Sequence, residues 1–190
     1  NAQGLQGGYA TDVRIGDIAP LQDAPGVNDA LPEDRLNTAW LDAATLNAAG
    51  LGSLTITTTD RISVASPLQL ATGGSVKLSS TTIDVASTIT ARAGSIVLAT
   101  FYDSPSGKTL MASSSGASPS IVLQPGAALD THGLWVNALI DPAGTAGLAY
   151  LDGGDVTLDS SGAVTLSAGS LIDVTSGGAV LQKGKTQGGK

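Results

Sequence analysis

The chain has no cysteine among its 190 residues, so it can build neither a disulfide framework nor a thiolate metal site. Aromatic residues make up 3% and charged residues 13%, although 42% are apolar. A wide core filled with rings and a surface covered with charge are both excluded, and the exterior must be mostly Ser, Thr, Gly and Ala. His132 is the single imidazole, so a Ser-His-Asp hydrolase would have to use it with Asp130 as neighbour. No G-x-S-x-G elbow accompanies it, and His132 reads as a polar turn residue between Leu129 and Leu134. No apolar run approaches the ~18 residues that span a bilayer. No secretory signal pattern is present, and a start at Asn1 reads as a mature or excised segment.

Positive charge is scarce too. The formal net charge is −7, which argues against nucleic acid as a partner because phosphates demand a basic face. Lys183, Lys185 and Lys190 make the last residues basic, but the stretch is short and rich in Gly, a polar loop rather than a membrane anchor.

What the chain does have is a short apolar triplet that returns about once per ~20 residues, the period of a stacked solenoid. It reads Leu54–Ile56, Val76–Leu78, Ile96–Leu98, Ile121–Leu123 and Val156–Leu158. Small pairs precede four of them: Gly52-Ser53, Gly74-Ser75, Gly94-Ser95 and Gly154-Asp155. A strand of three or four residues cannot bury its apolar face alone, so it must stack on its neighbours. The period holds in three columns: Leu54 to Val76 is 22 residues, Val76 to Ile96 is 20, and Ile62 to Ile83 and Leu68 to Ile89 are 21 each. These registers predict an all-β fold, a right-handed parallel β-helix of about five coils with three strands per coil, over residues 51–190. Loop excursions are expected near 99–120 and 137–153, with Thr109–Ala112 the only strand-like piece of the first. An antiparallel sandwich also uses short strands, but it does not require three registers to recur at one period.

Residues 1–50 read differently. Pro20, Pro25 and Pro32 and half of the chain's acids, counted to residue 60, imply loop, with no alternation before Leu54. Pro32-Glu33-Asp34 supplies a helix start, Trp40, Leu41, Ala44 and Leu46 would line one side of a short helix, and Gly50 would end it. Such a piece is expected to cap an open coil end or lie on the flank of the stack.

The stretches Ala39–Ile56, Gly73–Leu98 and Gly153–Lys190 resemble the repeat region of filamentous haemagglutinin-like exoproteins of Gram-negative two-partner secretion systems. The likeness covers most of residues 39–190 and rests on degenerate repeats; the NPNG-type and NPNL-type motifs of the family's secretion domain are absent. The resemblance implies a length of shaft from a large exoprotein, extracellular or on the bacterial cell surface. It also implies export through a cognate outer-membrane transporter, and use in adhesion, biofilm formation or toxin display. Partners implied are the rest of the same long chain and a host-surface or carbohydrate receptor.

Chemistry is sparse beside this. Gly107-Lys108-Thr109 and Gly184-Lys185-Thr186 mimic the end of a phosphate loop, but Tyr102 and Ala179 occupy the position of the required earlier glycine. A lone Gly153-Gly154-Asp155 is not the tandem array that binds calcium, so no metal and no cofactor are expected. Thr55, Thr57 and Thr59 recur on no neighbouring coil and reflect strand propensity. A polysaccharide lyase, the alternative to a non-enzymatic shaft, would draw on Asp84 and Asp173 with Arg61 or Arg92 as base, though these acids are scattered singly. Phe101, Tyr102, Trp135 and Tyr150 are four of the six aromatics, and three of them lie in or beside the excursions. They are the ligand-binding candidates, for carbohydrate or a host surface, against the plainer reading of rings that pin loops to the wall.

Overall fold

The computed structural model describes residues 11–18, 37–104, 107–110, 113–137 and 151–190. Among these, strands take 50% and helical turns 6%, so the chain is mostly β with parallel sheets. In chain order the elements are β1 (Asp12–Gly16), β2 (Thr38–Asp42), α1 (Ala43–Ala48), β3 (Ser53–Thr57), β4 (Arg61–Val64), β5 (Leu68–Gln69), β6 (Ser75–Ser79), β7 (Thr82–Val85) and β8 (Thr88–Thr90). They continue with β9 (Ser95–Ala99), β10 (Phe101–Ser104), β11 (Gly107–Leu110), β12 (Ser120–Leu123), β13 (Ala128–Asp130), β14 (Trp135–Asn137), β15 (Asp155–Asp159), β16 (Ala163–Leu166), β17 (Leu171–Asp173), β18 (Gly178–Val180) and β19 (Thr186–Gly188).

Three parallel sheets carry the core. Their strand orders are β3-β6-β9-β15, β2-β1-β4-β7-β12-β16 and β5-β8-β13-β17. The registers put Leu54, Val76, Ile96 and Val156 in one row, Ile62, Ile83, Ile121 and Val164 in a second, and Leu68, Ile89, Leu129 and Ile172 in a third. Side chains alternate across a strand, so one residue in two points inward, and the rows, apart from Val164 at the open end, merge into a single aliphatic cluster. Each fully buried member contributes roughly 1.5–3 kcal/mol.

The small pairs before the triplets have a steric cause. A Cβ on Gly94 would collide with the Gly74 carbonyl oxygen, and one on Gly154 with that of Gly94. At this corner the backbones touch directly, joined by Ser75 N–H to Gly52 O, Ser95 N–H to Gly74 O and Asp155 N–H to Gly94 O at 2.9–3.0 Å. The corner after the same strands is polar instead, with Thr58, Ser79, Ser80, Thr81 and Thr100 buried. The Thr58 and Thr81 hydroxyls donate to the carbonyls of Thr11 and Thr59, each at 2.6 Å.

Several expectations need correction. Ile121–Leu123 does not belong with the triplets at 54, 76, 96 and 156: it pairs with Ile83–Val85 in the six-stranded sheet. The repeated Ile-Val-Leu follows an insertion at a corner, not a complete extra turn of the chain, so the first sheet has four strands rather than five. The insertion folds as an antiparallel hairpin, β10 with β11, in which Phe101 opposes Leu110, and Thr109 has a strand partner in Tyr102. Trp135–Asn137 likewise leaves the third sheet, where Ala128–Asp130 stands in its place, and forms a separate sheet with β18 and β19.

Alternation also begins well before Leu54. Asp12-Val-Arg-Ile-Gly is a strand between β2 and β4, with Val13 and Ile15 buried. Trp40 and Leu41 lie on β2 rather than on a helix, and Pro32–Asp34 lies outside the described residues. The helix is six residues long and starts at Asp42, whose carboxylate accepts from Thr45 N and Thr45 Oγ1 at 2.8 and 2.6 Å. That N-cap satisfies donors the helix cannot satisfy itself, and Gly50 follows its end with φ +58°. Propensity over a single turn is weak, so the cap and the sheet pairing decide where strand becomes helix.

Candidate functional site

The aromatic candidates are not gathered into one place. Phe101 is half-buried on the β10–β11 hairpin, with the Lys108 ammonium 5.9 Å from its ring centroid, and Lys108 also pairs with Asp159 on β15. Trp135 sits on β14 in a different small sheet, 65% exposed, with its six-membered ring over Gly178 of the paired strand. A Cβ at Gly178 would meet the ring at 2.8 Å, so the glycine makes room for the indole. Tyr150 and the side chain of Tyr102 lie outside the described residues.

A more developed site lies on the outer face of the six-stranded sheet. Val13, Ile15, Ile62, Val64, Ile83 and Val85 turn inward there. By the same alternation Asp12, Arg14, Arg61, Ser63, Thr82 and Asp84 turn outward. Three adjoining hollows of about 480, 180 and 270 Å³ run over this face, and Arg61 lines all three. Asp12 is the ladder partner of Arg61, Arg14 the partner of Ser63 and of Trp40, and Ser63 the partner of Asp84. The Arg14 guanidinium stacks 4.8 Å from the Trp40 ring centroid, a contact that fixes a side chain otherwise free to rotate. Asp84 accepts from Gln124 Nε2 at 2.9 Å.

One wall of the largest hollow comes from the chain returning from the hairpin. Asp60 is buried and accepts from Ser113 Oγ at 2.7 Å, Ser114 N at 2.6 Å, Ser115 N at 3.4 Å and the Ser114 hydroxyl. The Ser114 hydroxyl, more than the other donors, holds the carboxyl down to about 2, against the desolvation that would raise it. Ser114, Ser115 and Ala117 are thereby fixed as lining.

The residues considered for a lyase divide. Arg61 and Asp84 share the groove, whereas Arg92 lies in the turn after β8 and Asp173 on β17 of the third sheet. Asp173 instead joins Asp130 and His132, whose ligand atoms lie within 4.8 Å of one another. Each carboxylate there has donors of its own: His132 Nδ1 lies 2.5 Å from Asp130 Oδ1, and Thr175 N and Oγ1 donate to Asp173 at 3.0 and 2.7 Å. The Thr175 hydroxyl is the main reason the Asp173 carboxyl is lowered, with a smaller contribution from His132. Asp130 orients the imidazole through its Nδ1 and the His132 backbone N–H, and among the described residues no hydroxyl hydrogen-bonds the ring.

Arg14, Asp12 and Trp40 are not legible as site residues in a segment that reads as loop and helix; the alternation Asp-Val-Arg-Ile is the signal that could have found them. Comparison with family models, with curated proteins and with solved structures finds no match.

Proposed function

We propose that the chain is a length of right-handed parallel β-helix, three strands per coil. It serves as a structural and adhesive shaft segment of a large secreted bacterial surface exoprotein of the filamentous haemagglutinin-like kind. The observation that carries this reading is the in-register stacking of Val76 on Ile96, Ile62 on Ile83 and Leu68 on Ile89, one residue from each sheet at one period. Units that pair only with their neighbours along an axis add length without adding width, which is what a shaft requires. Export through a cognate outer-membrane transporter and a surface or extracellular location follow from the resemblance of the repeats, and suit a chain without cysteine. A host-surface or carbohydrate receptor fits the polar, Arg- and Trp-lined outer face.

A second reading, a carbohydrate-active β-helix enzyme of the polysaccharide lyase kind, is favoured by one observation, the meeting of Arg61 and Asp84 in a single groove. One experiment separates the two. Beads coated with the purified chain are expected to attach to host cells or immobilised polysaccharide while leaving the polymer intact. Release of unsaturated product absorbing in the ultraviolet, abolished by chelator, would establish the enzyme instead. Failure to attach to any surface would remove the adhesive role.

A further inference from the structure

We infer that the groove centred on Arg61 is a binding site for a carboxylate-bearing polysaccharide, a chain of uronate sugars lying across the strands of the six-stranded sheet. The inference deepens the adhesive reading and rests on it, by naming where the receptor binds and what chemistry it has.

Arg61 is the key residue. Its guanidinium has neither an ion pair nor a hydrogen bond among the described residues, although Asp12 is its ladder partner. It nevertheless lines all three hollows described on this face. A guanidinium presents a planar fork that matches a carboxylate with two parallel hydrogen bonds. Arg14 stands diagonally across the ladder, a separation of ~7–8 Å between such positions, and Trp40 holds it in place before any ligand arrives. A pre-positioned side chain loses less entropy on binding.

The remaining groups suit sugar hydroxyls. Gln124 occupies one oxygen of Asp84, which leaves the other to accept, and the Ser63 hydroxyl lies between Arg14 and Asp84 along the ladder. A polymer crossing the strands meets a new side chain every ~4.8 Å, a step comparable with one sugar unit of an extended chain. The same acids set the limit on charge. Asp12, Asp60 and Asp84 border the two guanidinia, so the groove takes a carboxylate only where it meets Arg61 or Arg14, and a polymer with two or more anionic groups on each sugar is pressed against those acids as well.

The test measures binding of the 190-residue chain to polygalacturonate, to its methyl ester and to dextran sulfate. Polygalacturonate is expected to bind best, the neutral ester about tenfold or more weaker, and dextran sulfate no better than the ester. Arg61→Ala should weaken polygalacturonate binding by about tenfold or more, with Arg61→Lys restoring part of it, because charge returns without the fork. Arg92→Ala, remote from the groove, should leave binding unchanged, and an unaltered melting temperature would show that Arg61→Ala still folds. Equal binding of acid and ester, preference for dextran sulfate, or no binding of polygalacturonate would overturn the inference. If Trp135→Ala abolished attachment to cells while Arg61→Ala spared it, the groove assignment would fail and the adhesive reading would stand.

Discussion

The two ends of the stacked sheets are built from the same kind of strand and finished in opposite ways. At the amino-terminal end β1 and β2 extend the six-stranded sheet, and α1 lies against β5. There Asn47 acts as a substitute strand: its Nδ2 donates to Pro67 O at 2.9 Å and its Oδ1 accepts from Gln69 N at 2.7 Å. At the other end β15, β16 and β17 have a ladder partner on one side only. Val164 and Leu166 hold the same registers as buried Ile121 and Leu123, yet they are 44% and 54% exposed. Residues 186–190 turn aside to pair with β18 and with Asp152 rather than crossing that face. An inward aliphatic residue is therefore core only where another strand lies over it, and sequence position within the repeat says nothing about which case applies.

The comparison can be broken most severely at the glycine corner. Gly94→Ala places a methyl group into the Gly74 carbonyl, backbone against backbone with no flexible side chain to yield, whereas Gly52→Ala at the amino-terminal edge meets nothing within 4 Å. Overpacking costs typically about 1–3 kcal/mol and more where backbone must shift, so Gly94→Ala should lose at least about 3 kcal/mol. Gly52→Ala should change stability by less than about 0.5 kcal/mol. Urea denaturation of both variants checks this, and equal effects would remove the steric account of the small pairs.

Deleting aliphatic groups should sharpen the same contrast. Ile83 is 1% exposed between Ile62 and Ile121, so Ile83→Ala is expected to cost about 2–5 kcal/mol, transfer energy plus the cavity left behind. Leu166 pairs with Leu123 on one side only, and Leu166→Ala should cost about 1 kcal/mol or less. Midpoints of chemical unfolding compare the two directly.

How much of this was legible in the sequence follows from which residues repeat. Leu54, Val76 and Ile96, or Leu68 and Ile89, are separated by nearly constant intervals, and the columns they predicted are the observed registers. Ile121 misled because the repeat carries no mark of which side of the stack a triplet belongs to; an insertion of any length at a corner shifts the count. β1 was missed because two inward residues, Val13 and Ile15, are too short a pattern to stand out among Asp and Pro. The groove was legible only in part. Arg61 and Asp84 could be singled out as charged residues on strands, but their meeting with Arg14 depends on β1 pairing with β4 from 49 positions away, Asp12 against Arg61. Nothing local in either segment encodes that.

The Asn47 amide offers a milder test of how an end is closed. Asn47→Leu keeps much of the volume and removes both hydrogen bonds to the β5 edge, each contributing about 0.5–1.5 kcal/mol. The freed Gln69 N–H and Pro67 carbonyl then form a bare strand edge, the kind of surface on which chains associate. Light scattering should show concentration-dependent growth in this variant beyond that of the parent, and a variant that stays the size of the parent would mean that the amide does not shield the edge.

The smallest expected effect is confined to one loop and appears only in acid. Asp60 has a folded pKa of about 2, below the ~3.9 of an unfolded aspartate. A depressed carboxyl contributes stability that is complete above the unfolded value and lost as pH falls through the folded one, so its hold on Ser113, Ser114 and Ser115 should fade between about pH 4 and pH 2. Hydrogen exchange at the Ser114 and Ser115 amides should accelerate in that window, while amides of β6 and β9, held by backbone-to-backbone ladders, stay protected. Asp60→Asn should show the faster exchange already at neutral pH and no further change on acidification. Loss of protection in the loop and the sheets together would mean that Asp60 holds up the stack itself and not merely the wall of the groove beside it.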